Sequence, residues 1–287
     1  MKISIVGSGV VGKTMGFGFE KLGHEVLFCD VDENVVKELS KGHKATKDLK
    51  AVKDGDMTFI CVPTPYSKGF DTTYLISAAK EIGSALKERN GYHLLVVKST
   101  VLPTTTEKVV IPLISKHKKI GEEVGVCMNP EFLTEIANTW SSDGNYKRDF
   151  FTEDRIVIGE YDKKSGDALE ELYRPLGKPI FRFDLKTAEM IKYASNCMLA
   201  TKISYWNEIF LVCSEVGIDS KKVADVVGMD PRIGKYGTVH GKAYGGKCLP
   251  KDLKALLSFA SKYHKPKLLK AVDDINEKMR RKYGVRE

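Results

Sequence analysis

The sequence predicts an α/β protein in which a doubly wound parallel sheet precedes a long helix and an all-helical region. Up to Asp184, short apolar runs typical of strands alternate with segments of helical periodicity, a pattern that specifies a parallel sheet covered on both faces. From Thr187 to about Val216 neither proline nor glycine occurs, and no strand pattern returns afterwards. We therefore expect one domain over residues 1–184 and a second, helical domain over residues 185–287.

Composition narrows the class of protein. The 287 residues are 42% hydrophobic and 29% charged, which is ordinary for a soluble globular chain. No apolar run approaches the roughly 20 residues that span a bilayer, and the apolar N-terminus is too short for a signal peptide. The six cysteines have no paired spacing, which argues against a metal site or disulfides and for the cytoplasm. The net charge of +8 comes from dispersed lysines, so we expect anionic small ligands rather than nucleic acid or a membrane.

The first elements carry a cofactor motif. A buried strand over residues 2–6 runs directly into a G-x-G-x-x-G turn and a helix, and a second strand over residues 25–29 ends at Asp30. The glycines admit a pyrophosphate close to the backbone, while the helix N-terminus supplies amide donors and a partial positive charge. Asp30 would accept from the ribose hydroxyls and repel a 2′-phosphate, which favours NAD over NADP. The expected cofactor-binding residues of this Rossmann-like unit are Gly7, Gly9, Val10, Val11, Gly12 and Asp30.

Further strands place polar loops at the same edge of the sheet. The strand predicted over residues 57–62 runs into Pro63-Thr64-Pro65, and the strand over residues 94–97 ends in Lys98-Ser99-Thr100. Loops at the carboxyl ends of such strands lie over the cofactor. Thr64 is therefore a candidate for the nicotinamide side, and a simple proline turn is the equal alternative. Helices are expected between these strands, over residues 32–42, 72–89 and 106–116.

The strand predicted over residues 123–128 ends in Asn129-Pro130-Glu131-Phe132-Leu133-Thr134-Glu135. Glu131 and Glu135 are four residues apart and would share one face of a helix. Two carboxylates there suit proton transfer or the orientation of a water, whereas helix capping is the alternative. Strands over residues 155–159 and 179–183 complete the sheet, and the polar segment between Asn138 and Asp154 predicts a surface loop.

The second half is predicted to be helical. The long helix carries apolar residues on too many sides for one wet face, so we expect it to connect domains or pack against a second subunit. Lys192 and Asn196 lie on one face near its start, although a lysine there is usually solvated. Shorter helices follow over residues 220–227, 253–263 and 266–283, and Arg232 stands in a glycine-bounded loop.

The most informative stretch is Tyr244-Gly245-Gly246-Lys247-Cys248-Leu249-Pro250-Lys251-Asp252. A thiol is a useful nucleophile only as thiolate, and the neighbouring lysines favour that form. The glycines let the backbone approach a bulky ligand closely. An inert buried cysteine is the alternative that the stretch alone leaves open.

Several motifs together resemble the UDP-glucose/GDP-mannose dehydrogenase family over nearly the whole chain. They are GSGVVG with Asp30, the VPTP and KST segments, NPEFLTE, the AEMIKYASN helix, DPRIG and GGKCLPKD. The resemblance implies an NAD-binding domain, a long helix and a helical dimerisation region. It also implies that the family's C-terminal nucleotide-binding domain is absent here; a naturally short form, a truncated chain and one part of a split enzyme all stay open.

The resemblance also implies a reaction and residue roles. The family oxidises a sugar's primary alcohol to a carboxylate with two NAD. Cys248 would attack the intermediate aldehyde, Lys192 and Asn196 would stabilise oxyanions, and Asp252 would act with Lys192 on a water or proton. The remaining implied positions are Glu131 in thioester hydrolysis, Thr100 and Glu135 at the cofactor and ordered water, Lys251 at NAD, and Arg232 at the substrate of a neighbouring subunit of a homodimer. Substrate-binding positions implied in addition are Phe132, Leu133, Tyr244, Gly245 and Gly246.

Lys247 departs from the family, which more often has a small or aromatic residue there. We predict that it lowers the pKa of the Cys248 thiol or attracts a nucleotide-sugar phosphate. UDP-glucose is the expected substrate, and the same chemistry on GDP-mannose or a UDP-N-acetylhexosamine is the near alternative. Two further alternatives are a two-electron dehydrogenase of the 6-phosphogluconate or 3-hydroxyacid type, which has no need of the thiol, and an inactive NAD-binding dimer.

Overall fold

The computed structural model describes residues 1–67, 69–134, 140–141 and 148–286. The chain divides into two compact units, one formed by residues 1–133 and 148–192 and the other by residues 134–147 and 193–287. The division falls inside the long helix rather than at its start. Within the described residues, no helix is both long enough and apolar enough to cross a membrane.

An eight-stranded sheet forms the centre of the first unit, in the order β3-β2-β1-β4-β5-β6-β7-β8. The strands are β1 Lys2–Val6, β2 Glu25–Cys29, β3 Lys44–Thr46, β4 Met57–Ile60, β5 His93–Val97, β6 Val124–Met128, β7 Ile156–Glu160 and β8 Ile180–Asp184. Every residue of β4, β5 and β6 is buried, as expected for central strands of a sheet covered on both faces. The predicted α/β, Rossmann-like class is confirmed.

Successive side chains of β5 enter two different apolar clusters. Leu95 and Val97 belong to one cluster, while Leu94 and Val96 belong to the other. Because side chains alternate across a strand, the two clusters lie on opposite faces of the sheet. This double burial explains why the strands read as short continuous apolar runs rather than as alternating patterns.

One strand pair departs from the parallel sheet that the sequence predicts. β7 pairs antiparallel with β6, through Cys127 with Glu160 and Met128 with Gly159. Parallel neighbours need a crossover connection, which is usually a helix, whereas antiparallel neighbours do not. The described part of the chain between β6 and β7 contains no helix. The expectation of a wholly parallel sheet is therefore wrong at this pair.

Helices of the first unit follow the predicted periodicity with shifted ends. They are α1 Val10–Lys21, α2 Glu33–Leu39, α3 Thr73–Leu86, α4 Ile111–Ile114 and α5 Lys163–Tyr173. The single helix predicted over residues 106–116 is instead a π-helical turn, Thr106–Val110, continued by α4. Asp32 ends up outside α2, because its carboxylate accepts from the Asn34 amide as an N-cap.

The remaining helices are α6 Leu185–Glu215, α7 Ser220–Val227, α8 Leu249–Ala260 and α9 Lys267–Tyr283. The long helix α6 has 31 residues, as predicted from the absence of helix breakers. The prediction of no strand after residue 184 is wrong beyond β8, since β9 Ala243–Tyr244 pairs in parallel with β10 Val285–Arg286. Strands of two residues have no detectable periodicity, so their pairing depends on the tertiary fold.

Candidate active site

The glycine turn between β1 and α1 has the geometry of a dinucleotide cradle. Gly7 has φ +92°, and a Cβ there would lie 2.8 Å from the Cys61 carbonyl carbon. A Cβ on Gly12 would lie 2.1 Å from Gly7 O, so this position admits only glycine. Gly9, by contrast, faces open space and precedes α1 without a side-chain cap, which leaves the helix amides for a ligand. Val10 is exposed beside it and Val11 is half-buried. A pyrophosphate fits this turn.

Asp30 is tied to the same turn. Its carboxylate accepts from the Ser8 amide at 2.7 Å and from the Asp32 amide at 3.0 Å. A carboxylate has about four lone-pair sites, so acceptor capacity is left for ribose hydroxyls. The glycine turn and the acid therefore lie where the sequence predicts a nucleotide.

Thr64 and Thr100 come together after β4 and β5. The Thr64 hydroxyl donates to the Thr100 carbonyl at 2.6 Å, and the Ser99 hydroxyl donates to the Val62 carbonyl at 2.6 Å. Thr64 is buried and Thr100 is half-buried. The two loops are thus joined at the carboxyl edge of neighbouring parallel strands, which is the edge where α/β sheets bind ligands.

Glu131 and Lys192 form a buried ion pair in the first unit. Lys192 Nζ lies 3.0 Å from Glu131 Oε1 and donates to the Glu131 carbonyl at 2.6 Å. Only 3% of Lys192 and 8% of Glu131 are exposed, so Lys192 departs from the usual solvated position of a lysine on a helix. Burial alone would raise the pKa of Glu131, but the charge and hydrogen bond of Lys192 hold it below its ordinary value.

Glu131 does not begin a helix. Residues 129–134 adopt neither helix nor strand, so the predicted shared helical face with Glu135 fails at Glu131, and Glu135 itself lies outside the described residues. Phe132 is buried with its ring 5.3 Å from Lys192 Nζ, and the Leu133 amide donates to Glu131 Oε2 at 2.8 Å.

Cys248 stands at the N-terminus of α8 in the second unit. The helix begins at Leu249 rather than at the predicted Leu253, with Pro250 in its first turn. Proline suits that position because its missing N–H would have no helical partner there. A helix N-terminus favours a negative charge on the sulfur. Cys248 is half-buried, and Lys247 beside it is exposed.

Asp252 is the buried partner of two predicted site residues. It is 1% exposed and accepts from Asn196 Nδ2 at 2.6 Å and from Lys251 Nζ at 2.6 Å. Its amide donates to the Cys248 carbonyl at 2.9 Å, one helical turn away. Lys251, expected at NAD, is therefore bonded to this carboxylate. Within the second unit, the thiol, the amide and the carboxylate belong to one local arrangement.

The stretch before the cysteine is fixed by α9 and β10. Tyr244 is fully buried, and its backbone exchanges hydrogen bonds with the Asn276 side chain at 2.9 and 3.2 Å. A Cβ on Gly245 would lie 2.4 Å from a Val285 methyl, and Gly246 has φ +73°, a conformation that favours glycine. The Tyr244 ring, expected at the substrate, is thus part of the packing of the second unit.

Arg232 lies at the surface, unlike the buried site residues described above. Its side chain is 87% exposed and pairs with Asp230 of the same loop at 2.6 Å. A surface pair of this kind contributes little to stability. The arginine is therefore available at the surface, as a role toward another molecule requires.

Sequence reasoning missed two buried charges beside Glu131. Lys98 is 3% exposed and Glu153 is 6% exposed. The detectable signal for Lys98 was a lysine directly after a wholly buried strand, whereas Glu153 carries no local signal. Among the described residues, no cluster of three or more histidine, cysteine or acidic side chains has the arrangement of a metal site.

Known proteins resemble this chain along almost its whole length. UDP-glucose 6-dehydrogenase of Haloferax volcanii is 35% identical over 96% of this chain and 70% of its own length. GDP-mannose 6-dehydrogenase of Pseudomonas aeruginosa is 39% identical over 91% of this chain and 64% of its own length. A UDP-glucose dehydrogenase structure from the archaeon Pyrobaculum islandicum superimposes with a TM-score of 0.89 at 34% identity, covering 98% of this chain and 68% of that one. The chain thus spans about two thirds of the length of the relatives it matches.

Two family domains match in the expected order. The NAD-binding domain of the UDP-glucose/GDP-mannose dehydrogenase family matches residues 1–47 and 39–177, and its central domain matches residues 186–278. The first match makes NAD the cofactor of this chain. From these matches and the relatives, the chain belongs to the UDP-glucose/GDP-mannose dehydrogenase family.

Proposed function

We propose that this chain catalyses the four-electron oxidation of the C6 alcohol of a nucleotide sugar to the carboxylate, with UDP-glucose as substrate. The observation that carries the proposal is the position of Cys248 at the N-terminus of α8, one turn before the buried Asp252–Asn196 pair. A two-electron alcohol oxidation needs no nucleophile, whereas oxidation of an aldehyde to an acid proceeds readily through a thioester. The thiol therefore argues for the second oxidation.

NAD, when bound, supplies the hydride acceptor for each of the two oxidations. Gly7, Gly9 and Gly12 would admit its pyrophosphate to the amides of α1, and Asp30 would accept from its ribose. Thr64 and Thr100, and by resemblance Glu135, would lie on the nicotinamide side. We assign Lys251 a contact with NAD that exchanges with its bond to Asp252.

The covalent step belongs to Cys248. After the first oxidation its sulfur bonds to the aldehyde carbon while the carbonyl oxygen takes a proton, which gives a thiohemiacetal. Loss of a hydride and a proton from that group gives a thioester. Water then adds to the thioester carbon, the C–S bond breaks, and the products are a carboxylate and the restored thiol.

Cationic and amide donors stabilise the oxygen that becomes negative in these steps. Lys192 has three donor hydrogens, and its bonds to Glu131 engage two acceptors. We assign the remaining donor, with the Asn196 amide, to the substrate oxyanion. Asp252 would act with Lys192 on a water or proton. Glu131, whose lowered pKa keeps it ionised, would act as the base for thioester hydrolysis.

Substrate identity is proposed from the relatives. Those matched include enzymes named for UDP-glucose and for GDP-mannose at similar identity, so both nucleotides belong in the test, with a UDP-N-acetylhexosamine as the third candidate. Phe132, Leu133 and the glycines 245 and 246 are the positions that we assign to sugar contacts. We place the reaction in the cytoplasm, because the mechanism needs a reduced thiol.

The decisive experiment counts NADH formed per sugar consumed by the purified chain, with Cys248→Ser measured in parallel. Two NADH per UDP-glucose, and a variant that stops before the acid, are the expected results. One NADH per sugar would establish a two-electron dehydrogenase instead. If NAD binds but no tested sugar is consumed, even with the family's C-terminal domain added in trans, the chain is an NAD-binding protein and the proposal is wrong.

We also propose a homodimer formed through α6. Met198, Tyr205 and Val212 are each more than half exposed and recur every seven residues, so they form an apolar stripe on one face of the helix. Arg232 of each copy would reach the substrate of the other. Light scattering should give twice the chain mass, and Tyr205→Glu should give a monomer; a wild-type monomer would exclude this interface.

A further inference from the structure

Beyond Asn129, the segment that follows β6 is held by side chains instead of a strand ladder. Because residues 129–134 are neither helix nor strand, their buried polar groups need other partners. The Asn129 amide donates to the Val97 carbonyl at 2.9 Å. Two lysine ammonium groups donate to carbonyls of the segment, Lys98 to Pro130 at 3.3 Å and Lys192 to Glu131 at 2.6 Å. Two carboxylates accept from its amides, Glu153 from Phe132 at 2.9 Å and Glu131 from Leu133 at 2.8 Å. Charged side chains thus set the position of the proposed base.

Two of these charges, Lys98 and Glu153, have no role in the proposed reaction. Together with Glu131 and Lys192 they form a buried group of two positive and two negative charges. Burial lowers the pKa of Lys98, and the attraction of Glu153 and then of Glu131 opposes that effect. Isolated buried charges are strongly destabilising, so removal of one leaves the others unbalanced.

Lys98 is held in place by neutral groups. Its ammonium donates to Asn129 Oδ1 at 2.9 Å, which also accepts from the Tyr173 hydroxyl at 2.7 Å. Asn129 Nδ2 in turn donates to the Val157 carbonyl at 2.7 Å. These contacts fix the position of Lys98, so removal of a neighbouring charge is expected to move another group. Glu131 is the carboxylate that both lysines attract, and it is the group that we expect to move.

We propose that Glu153 and Lys98 are positioning residues of the active site, which hold Glu131 on Lys192. Glu153 accepts a hydrogen bond from the Phe132 amide and offsets the charge of Lys98, so that Glu131 pairs with Lys192 alone. The inference rests on the proposed function of Glu131 and Lys192, and it adds two residues to which that function assigns no contact with substrate or cofactor.

Other ionisable groups near the segment are accounted for. Burial raises the pKa of Cys61 to about 12 and that of Tyr173 well above its ordinary value, so both are neutral at assay pH. The Arg155 guanidinium lies 4.1 Å from the centre of the Phe132 ring and is bonded to Asp154 at 2.8 Å. Among the described residues, Lys192 and Lys98 are the cations that lower the pKa of Glu131, and Glu153 bonds the next amide along the chain.

The first test needs no turnover. In Glu153→Gln the Phe132 amide loses a charge-assisted acceptor, and we expect its hydrogen exchange to accelerate about tenfold. The Asn129 amide is the internal reference, because its acceptor is a backbone carbonyl of β5. Equal acceleration of both amides would mean general destabilisation, and no change at Phe132 would mean that Glu153 does not anchor it. Either result overturns the proposal.

The second test uses charge. Lys98→Met should raise the pKa of Glu131, and Glu153→Gln should lower it, so the acidic limb of the pH profile for acid formation should move by about one pH unit in opposite directions. The double variant should return toward the wild-type profile. Exposed Glu171→Gln and Lys41→Met are matched controls and should not shift it. Shifts in the same direction would overturn the proposal.

Failure of the proposed function can be told apart from failure of this inference. If no nucleotide sugar is oxidised by any form of the chain, the function is wrong, and a ¹³C-NMR titration of the Glu131 carboxyl replaces the pH profile. Opposite shifts of that carboxyl in Lys98→Met and Glu153→Gln would then still support the positioning role. Absence of these shifts would exclude it.

Discussion

Glu189 offers a sharp prediction about pH-dependent stability. Its fully buried carboxylate, on the first turns of α6, accepts from the Thr104 amide at 2.6 Å and from the Thr106 amide at 2.8 Å. Burial raises the pKa of this carboxyl from the ordinary 4.5 to about 7, although the hydrogen bonds from Thr106 and Thr104 lower it in part. The acid is therefore easier to ionise in the unfolded chain than in the folded one.

The sign of the effect follows from proton counting. Between 4.5 and about 7 the unfolded chain has lost this proton while the folded chain keeps it. The free energy of unfolding therefore falls as pH rises through that window, and the contribution is fully lost above the folded pKa. At about 1.4 kcal/mol per pKa unit, the loss amounts to about 3 kcal/mol.

Glu189→Gln should remove this slope. Glutamine does not titrate, and its single acceptor oxygen leaves one of the two amides unpaired, which lowers stability by about 1–3 kcal/mol at all pH values. Urea unfolding from about pH 5 to about pH 8 should show the wild type losing about 3 kcal/mol more than the variant over that range. Glu208→Gln, an exposed site on the same helix, is the control. Parallel wild-type and Glu189→Gln curves would refute the reasoning.

Three further predictions concern the glycine turn, the thiol and a strained residue. Gly12→Ala places a Cβ 2.1 Å from a backbone oxygen, so NAD titration should show lost binding and stability should fall by about 2 kcal/mol; Gly42→Ala, in open space, should leave both unchanged. Lys247→Ala should move the pH dependence of Cys248 alkylation upward; an unchanged profile would exclude a role of this lysine in the thiol pKa. Thr104 has φ +75°, so Thr104→Gly should be about 1 kcal/mol more stable than Thr104→Ala in urea unfolding, and the reverse order would show that this conformation is unstrained.

Elements with a clear hydrophobic periodicity and with residues that mark their ends were predictable from the sequence. β2 and α7 have the bounds that the sequence predicts, and α6 lacks helix breakers over its length. The strands β3, β9 and β10 are only two or three residues long, so they carry no period and exist through their partners. The antiparallel direction of β7 shows only in its pairing with β6, which local sequence does not encode.

The site residues also divide into those that the sequence predicts and those that it does not. The glycine turn, Asp30 and the cysteine stretch were found because their chemistry depends on neighbours in sequence. The start of α8 at Leu249 was within reach of prediction, since proline in a first helical turn marks a helix start. The burial of Lys192 and of Glu153 was out of reach, because each depends on residues distant in the chain.

The sequence by itself determined the α/β class, the NAD cradle, the thiol and the family, since periodicity and short motifs encode them directly. Only the tertiary structure decided which charges are buried together. Glu131 meets a lysine 61 residues away, and Asn196 meets a carboxylate 56 residues away. A charge is paired or exposed according to where packing excludes water, and packing brings together residues that no local pattern connects.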